Sequence, residues 1–458
     1  MHLCTIAISI LLACASAYAG EFQPPVVYPT DMYPWAVATA DFNHDGKKDL
    51  AVASIFNTTV DVLLGNGDGT FQSQVQYPGS PSGAYEIAVA DLNNDGAADL
   101  VTAGPSGASV FLGNGDGSFQ PYVTYPTGDT NTAVTIGDFN HDGYADLALP
   151  RYGNFVSVLL GNGDGTFGPP RQYATASYAV DIVSGDFNRD GNLDLATADN
   201  SSFVCDDRVS VLLGNGDGTF QKNMDYTVAE SCPEGIATGD LNHDGALDLV
   251  ATSGFSVSVL LGVGDGTFHR HVDYSVGLVP GAVAIADFNA DGKPDLAIAN
   301  NYISVVTVLL GNGDGTFQTH VDYPAGSGAQ SLAIADFNHD GATDIVTGNA
   351  GSNTVSALLN SGGASVTLTS SVNPSAYSQP VTFTVQVTAT FSSVGAPNGT
   401  VTFKDGAIIL GTVPLTSGRA QFTTSTLNAG DHKIRARYLG DGVFNPQNAP
   451  GLIQKVRP

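Results

Sequence analysis

The residues with the clearest chemistry are seven copies of a short acidic loop, Asp-x-Asn-x-Asp-Gly-x-x-Asp. Oxygen-bearing side chains stand at positions 1, 3, 5 and 9 of the loop, and the glycine at position 6 permits a sharp turn. A hard cation such as Ca²⁺ takes about six to eight oxygen ligands, and this spacing wraps oxygens around one point. The pattern therefore predicts one calcium site per loop, up to seven in all.

We expect the ligands of each site to be the four side chains and the backbone carbonyl of position 7. They are Asp41, Asn43, Asp45, Lys47 and Asp49; Asp91, Asn93, Asp95, Ala97 and Asp99; Asp138, Asn140, Asp142, Tyr144 and Asp146; Asp186, Asn188, Asp190, Asn192 and Asp194; Asp240, Asn242, Asp244, Ala246 and Asp248; Asp287, Asn289, Asp291, Lys293 and Asp295; and Asp336, Asn338, Asp340, Ala342 and Asp344.

Two other interpretations of the loop have to be weighed. Asn, Asp and Gly also form turns that hold no metal. An EF-hand is the second alternative, but it needs flanking helices and a glutamate at position 12, where the first copy has Val52. The flanking segments have the residue pattern of strands, so a calcium-holding β-hairpin loop is favoured.

Charge separates the chain into two regions and excludes one class of partner. The chain has 16 basic and 44 acidic residues, a net charge of −28, and 21 of the acids lie in the seven loops. Such a chain is not expected to bind nucleic acid, which requires Lys and Arg patches. From Ala364 onward the charge is +4, against −32 for the rest, and this asymmetry indicates two domains.

The first 19 residues have the pattern of a secretory signal peptide, with an apolar run followed by Ala17-Tyr18-Ala19. We therefore expect a secreted or cell-envelope protein. The segment Leu11-Leu12-Ala13-Cys14 also resembles a lipobox, so lipidation at Cys14 is an alternative to free secretion. No segment of the sequence is long and apolar enough to predict a transmembrane helix.

The loops recur every 47 to 54 residues, and each unit contains four strand-like runs. In the first unit these are Trp35–Ala40, Leu50–Ala53, Val60–Leu64 and Phe71–Tyr77. Four short strands per repeat predict a propeller blade. The seventh unit lacks its fourth strand, and Phe22–Pro29 matches that strand in sequence. We predict an all-β fold: a seven-bladed β-propeller closed by its N-terminal strand.

The calcium loop, the Gly-Asp-Gly turn and the period together resemble the FG-GAP (VCBS-type) repeat family, known from the head of integrin α-subunits, over residues 20–363. The resemblance implies one calcium per blade, held by the Asp, Asn, Asp and Asp side chains of each loop. It places these sites on the face away from the usual ligand surface. The family includes adhesion proteins, lectins and some polysaccharide lyases, so function is narrowed only in part.

Strand order assigns the calcium loops to one face and the loops that vary between units to the other. The residue six positions before each calcium loop differs in type from unit to unit. These seven residues are Trp35, Tyr85, Thr132, Val180, Glu234, Gly281 and Gln330. Aromatic faces stack on sugar rings. The candidate ligand-binding residues on the variable face are Trp35, Tyr85, Tyr152, Arg151, Tyr178 and Tyr302. Packing of these rings against neighbouring loops is the alternative.

Cys205 and Cys232 fall on that same face of one blade, in the longest repeat. An oxidising compartment favours a disulfide between them, and two free thiols are the alternative.

Residues 364–458 lack the calcium period and show about seven short alternating runs, which predict a β-sandwich. The segments Gly399–Gly406 and Tyr438–Gly442 resemble a bacterial Ig-like repeat, and such domains act as spacers. Lys433, Arg435 and Arg437 alternate on one predicted strand and should share one face of it.

No catalytic motif is present, and no histidine falls on an inner strand or a variable-face loop. The sequence favours a non-enzymatic module that binds a surface polysaccharide or a protein. The alternatives are an extracellular polysaccharide lyase or hydrolase and a purely structural envelope protein.

Overall fold

The structure is a computed structural model, and it describes residues 22–80, 82–200, 207–229, 232–289, 291–339, 341–360, 364–389, 397–440, 447–449 and 451–458. These residues form strands, turns and loops, with no helix among them. The chain divides into two compact units, of which one is Pro24–Asn360 and the other contains the C-terminal strands.

Seven antiparallel sheets of four strands make up the first unit, each a propeller blade. In chain order the strands are β1 Val26–Pro29; β2 Pro34–Ala40, β3 Asp49–Ser54, β4 Thr59–Leu63, β5 Val75–Pro78; β6 Glu86–Ala90, β7 Asp99–Gly104, β8 Gly107–Phe111, β9 Val123–Tyr125; β10 Thr135–Gly137, β11 Asp146–Arg151, β12 Phe155–Leu159, β13 Arg171–Ala174; β14 Ala179–Gly185, β15 Asp194–Asp199, β16 Arg208–Leu212, β17 Met224–Thr227; β18 Pro233–Gly239, β19 Asp248–Ser253, β20 Ser256–Leu260, β21 Val272–Ser275; β22 Pro280–Ala286, β23 Asp295–Asn300, β24 Val305–Leu309, β25 Val321–Pro324; β26 Ala329–Ala335, β27 Asp344–Asn349 and β28 Thr354–Leu358.

The N-terminal strand closes the ring, as the sequence predicts. Strand β1 pairs antiparallel with β28, with Val26 opposite Ala357 and Pro29 opposite Thr354. The first strands of the blades contact one another in a complete circle, from β2 through β6, β10, β14, β18, β22 and β26 back to β2. Every blade therefore has a neighbour on both sides, which leaves the ring without a gap.

The fourth strand of each blade is shorter than the sequence predicts. In the first blade β5 begins at Val75 rather than at Phe71. Phe71 instead forms a single bridge with Gly65 across the Gly-Asp-Gly turn. Gly67 and Gly69 in this turn have φ angles of +80° and +81°, which favour glycine and keep the turn tight.

An aromatic cluster joins each blade to the next. Phe119, which follows the turn of the second blade, lies 5.5 Å from Phe42 and 5.4 Å from Tyr77 of the first blade, centroid to centroid. Both contacts are edge-to-face, the geometry that aromatic quadrupoles favour. In the same place the Gly117 N–H donates to the Phe42 carbonyl at 2.9 Å. The acidic loop of one blade thus docks on the turn of the next.

The second unit is an Ig-like β-sandwich, as expected. Its strands are β29 Ala364–Ser370, β30 Ser375–Ala376, β31 Val381–Ala389, β32 Thr400–Asp405, β33 Ile408–Pro414, β34 Arg419–Thr424, β35 Gly430–Tyr438, β36 Gln447–Asn448 and β37 Leu452–Arg457. One sheet has the order β29-β31-β34, and the other contains β30, β37, β35, β32 and β33. Along β35 the side chains of Lys433, Arg435 and Arg437 are exposed, whereas those between them are buried.

A buried polar position recurs at the end of the second strand of several blades. Asp199 is fully buried there, and its carboxylate accepts hydrogen bonds from the hydroxyls of Thr197 and Ser210. Asn300 and Asn349 stand at the same position in β23 and β27 and donate to hydroxyls on the next strand. Burial raises the pKa of Asp199 to about 7, against the lowering effect of its two hydroxyl partners.

We predict that Asp199→Asn stabilises the propeller above neutral pH. The raised pKa means that the folded chain holds this proton more tightly than the unfolded chain. The associated stability is therefore full below about pH 4 and is lost as the pH rises through about 7. Asparagine mimics the protonated form, so the gain in unfolding free energy at pH 8 is at most roughly 4 kcal/mol and is near zero at pH 4.

Denaturant unfolding of both proteins at the two pH values measures this difference. The matched control is Asn300→Asp, which is expected to show the reverse pH dependence. A gain for Asp199→Asn that is the same at both pH values would contradict the assignment.

Candidate functional site

The last aspartate of each acidic loop is buried and holds two parts of the blade together. Asp49 is fully buried, and one carboxylate oxygen accepts the Phe42 N–H at 2.9 Å while the other accepts the Gly65 N–H at 2.7 Å. The first donor lies in the acidic loop and the second at the start of the Gly-Asp-Gly turn. The equivalent aspartates make the same pair of bonds, with Asn360 as the turn donor in the last blade: Asp99, Asp146, Asp194, Asp248, Asp295 and Asp344.

The earlier loop positions form a turn stabilised by their own side chains. In the first loop the Asp45 N–H donates to Asp41 Oδ1 and to Asn43 Oδ1, each at 3.1 Å. The Gly46 N–H donates to Asp41 Oδ2 at 2.8 Å. Gly46 has a φ of +82°, which explains the invariant glycine at position 6 of the loop. Asp340, at position 5 of the seventh loop, lies outside the described residues.

The chemistry of the loop fits calcium. Burial raises the pKa of Asp49, its two backbone donors lower it, and the negative charges of Asp45 and Asp41 add to the rise. In the part of the chain that the structure describes, no group of three or more His, Cys, Asp or Glu side chains converges as a metal site. The loop carboxylates are instead engaged by backbone N–H groups, but each oxygen keeps a lone pair for a cation.

We predict that Asp99→Asn destabilises the second blade whether or not metal is present. Asparagine has one acceptor oxygen, so one of the two backbone donors, Leu92 or Gly113, loses its partner. The expected loss is about 1 to 3 kcal/mol. Thermal and urea unfolding in EDTA measure it.

The control is Asp95→Asn, an exposed loop position whose Oδ1 acceptor is retained. This variant should unfold like the wild type in EDTA. Equal unfolding curves for the Asp99 variant and this control would contradict the structural role of Asp99.

A second feature lies at the opposite end of the inner strands, where they begin. A cavity of about 150 Å³ opens there on the propeller axis, and we call it the axial cavity. All seven of the residues that stand six positions before the acidic loops line it, from Trp35 to Gln330. Tyr152 lines it as well, and so do Glu86 and Asp181, which follow Tyr85 and Val180 in the chain.

In β14, β18, β22 and β26 a β-bulge explains why two successive residues of one strand both reach the axial cavity. In β2, Pro34 pairs with Ser54 and Ala36 pairs with Ala53, so Trp35 is an extra residue. The register shifts at the same place in β14, β18, β22 and β26. A regular strand would send neighbouring side chains to opposite faces, whereas a bulge re-aims them.

Aromatic rings form one part of the wall of the axial cavity. The Trp35 and Tyr85 rings meet edge-to-face with centroids 6.4 Å apart. Tyr152 meets Tyr178 in the same way at 6.2 Å. Burial, together with nearby Tyr85 and Glu234, raises the pKa of Tyr152. Side chains from different blades therefore come together in the cavity.

Carboxylates form the other part of the wall. Glu86 accepts the Ile87 N–H at 3.0 Å, and Asp181 accepts the N–H groups of Ile182 and Ile236, both at 2.8 Å. Burial, and then the charge of Asp181, raise the pKa of Glu86 to about 8. Burial raises the pKa of Asp181 to about 6. Among the described residues that line the cavity there is no Lys, Arg or His to balance these charges.

Sequence reasoning missed Glu86 and Asp181 because it followed only the position six residues before each loop. A signal was available at the next position, where the other five blades have Ala, Gly or Ser. Two acids among seven otherwise small residues stand out in an alignment of the repeats.

The remaining predicted ligand residues are not brought to the axial cavity. Arg151 ends β11, donates to the Thr127 carbonyl at 3.3 Å and lies over the Phe155 ring. Tyr302 is 74 % exposed and does not line the cavity. Tyr178 lies behind Tyr152 rather than in the cavity wall.

Cys232 is disulfide-bonded in the structure. Cys205, its predicted partner, lies outside the described residues. The part of the chain that the structure describes contains no helix long and apolar enough to cross a membrane.

Comparison with known families identifies the repeats. A model described as FG-GAP-like repeat matches residues 41–102, 91–149, 138–197, 201–251, 240–298 and 287–347, and one described as FG-GAP repeat matches residues 328–367. The chain therefore belongs to the FG-GAP repeat family. A bacterial Ig-like domain (group 3) model matches residues 368–457.

Solved structures resemble the chain at low sequence identity. BBS1N in complex with ARL6DN, soaked with lead, has a TM-score of 0.54 at 11 % identity, over 74 % of this chain and 97 % of that chain. A lectin of Agrocybe aegerita, described as recognising non-reducing terminal N-acetylglucosamine, has a TM-score of 0.48 at 20 % identity, over 74 % of this chain and 86 % of that chain. The likeness to BBS1N is one of fold. A search of curated proteins found no match.

Proposed function

We propose that this chain is a secreted, non-enzymatic binding or adhesion module. Its axial cavity would hold a group of a surface polysaccharide or protein, and the Ig-like domain would act as a spacer. One observation carries the proposal. The blades repeat closely at the acidic loops, yet the seven residues around the cavity are all of different types. A concave site with a few convergent polar groups is where ligands bind in most proteins.

We also propose that the seven acidic loops bind Ca²⁺ with their side chains at positions 1, 3, 5 and 9 and the carbonyl at position 7. The cation would supply positive charge between carboxylates that otherwise repel one another. Because the loops contact the next blade through residues such as Phe42, calcium would stabilise the ring rather than contact the ligand.

A polysaccharide lyase or hydrolase is the second candidate. In its favour, Glu86 and Asp181 have pKa values of about 8 and about 6, and a pair of carboxyl groups with separated pKa values is a pattern of acid–base catalysis. Against it, Asp181 already accepts two backbone N–H groups, and a cavity of about 150 Å³ admits a terminal group rather than a chain passing through. Release of reducing ends that disappears in Glu86→Gln would establish this candidate.

The binding proposal predicts that Trp35→Ala weakens retention of the protein on its polymer. Buried interfacial tryptophans contribute about 2 kcal/mol or more, so the apparent Kd should rise at least about thirtyfold. The assay is retention on chitin, chitosan, cellulose and peptidoglycan in calcium.

The matched control is Tyr302→Ala, which removes an exposed aromatic ring outside the cavity. Equal retention of both variants and the wild type would exclude the axial cavity as the binding site. No retention of the wild type on any polymer or on a protein array would overturn the function itself.

The calcium proposal predicts that chelation lowers the melting temperature. A ligand that binds only the folded chain adds about 4 kcal/mol at a thousandfold excess over its Kd. Calorimetry with and without EDTA, with metal analysis of the same samples, measures the effect. Added Ca²⁺ should restore the wild-type curve. An unchanged curve after complete removal of the metal would contradict the proposal.

A further inference from the structure

The side chains that line the axial cavity favour a positively charged ligand. Three carboxylates reach it, from Glu86, Asp181 and Glu234, and its described lining residues include no basic side chain. The rest of the wall includes the rings of Trp35, Tyr85 and Tyr152, whose faces carry partial negative charge. Both kinds of group favour a positive charge, and both disfavour an anionic ligand.

The carboxylates and the rings suit an organic cation better than a metal ion. Much of the wall is aromatic carbon, and the Glu86 and Asp181 carboxylates share their oxygens with backbone N–H groups, so the lining does not surround one point with the about six to eight oxygens that a calcium ion takes. Aromatic faces attract ammonium groups, and the attraction is stronger where water is excluded. An ammonium group needs only a few acceptors and tolerates apolar walls.

Polar, uncharged groups complete the lining. Thr132 and Gln330 contribute a hydroxyl and an amide to the wall. Ser331 lines the same cavity, is only 7 % exposed, and its Oγ has no hydrogen-bond partner among the described residues. A buried unpaired hydroxyl is destabilising unless a ligand or water completes it. Hydroxyls and amides of this kind suit a hydroxyl-rich ring better than an alkyl chain.

We infer that the axial cavity binds the free amino group of an amino sugar at the end of a polysaccharide. The ammonium group is held by Glu86 and Asp181, with Glu234 nearer to solvent. The sugar ring lies against Trp35, Tyr85 and Tyr152, and a cavity of about 150 Å³ is of the size of a single ring. This inference rests on the proposed binding function and assigns its ligand class. The raised pKa of Glu86 is consistent with a carboxylate that lacks a cationic partner.

The chain provides its own reporter for the test. Trp35 is the only tryptophan in the sequence and lines the cavity, so selective tryptophan excitation observes the site directly. The full-length protein in calcium is titrated at neutral pH with the trimer of glucosamine and with its fully N-acetylated counterpart. These two probes have the same linkage and length and differ in their amino groups.

The glucosamine trimer is expected to change the Trp35 signal with saturation. The N-acetylated trimer should bind at least about tenfold more weakly, because an amide cannot form the charge-assisted hydrogen bonds of an ammonium group. Glu86→Gln and Asp181→Asn should each weaken the glucosamine trimer by at least about tenfold. Asp129→Asn removes an exposed acid outside the cavity lining and should leave the affinity unchanged.

Melting curves of each variant show whether it is folded. If Asp181→Asn is unstable, the test uses Glu86→Gln, which retains an oxygen to accept the Ile87 N–H. Equal affinity for the two trimers would overturn the charge requirement and leave the binding function standing. A lysine tripeptide that competes as tightly as the glucosamine trimer would overturn the sugar assignment. Displacement of the trimer when the Ca²⁺ concentration is raised further would assign the cavity to a metal.

Polymer retention by the wild type, with no response of Trp35 to either trimer, would also overturn the inference while the proposed function stands. Loss of both retention and response would overturn the two together.

Discussion

The propeller depends on one buried carboxylate in each blade. Removing a charge from water is costly, and here each position-9 aspartate recovers stability through two short bonds to backbone N–H groups. Those donors belong to two separate hairpin ends, so a single side chain fixes the acidic loop against the Gly-Asp-Gly turn. The loop then presents Phe42, or its equivalent, to the next blade. The bond within a blade thus sets the geometry between blades.

The end of each blade that the position-9 aspartate holds also makes the packing contacts with the next blade. The residues at the other end of each inner strand are therefore free to differ between blades. The second strands are buried along their length, except for the half-buried Arg151 at the end of β11, whereas the first strands begin at the axial cavity with residues of different types. Bulges at that end are tolerated since the register beyond them is fixed by the aspartate at the far end. Each first strand therefore begins with residues that differ between blades and ends in a region of fixed register.

The sequence predicted the period, the blade number and closure by the N-terminal strand, because these follow from repeated residues and one missing strand. It also placed Trp35 and its six equivalents on the correct face. It could not show that Glu86 and Asp181 join them, since strict alternation sends those side chains to the other side. Arg151 and Tyr302 were placed on that face as candidates, but contacts such as that of Arg151 with the Thr127 carbonyl decide where they point. Tertiary contacts of this kind do not appear as a repeated pattern in the sequence.

The same chemistry serves two purposes in this ring. Asp181, like the position-9 aspartates, accepts two backbone N–H groups, and one of them, Ile236, belongs to the next blade. Asp181 is therefore both a wall of the axial cavity and a link between β14 and β18. A carboxylate held from two sides keeps its position whether or not a cation is present, so little ordering is required when a ligand binds. The hydrogen bonds that link the blades of the propeller therefore also hold the Asp181 carboxylate in position in the axial cavity.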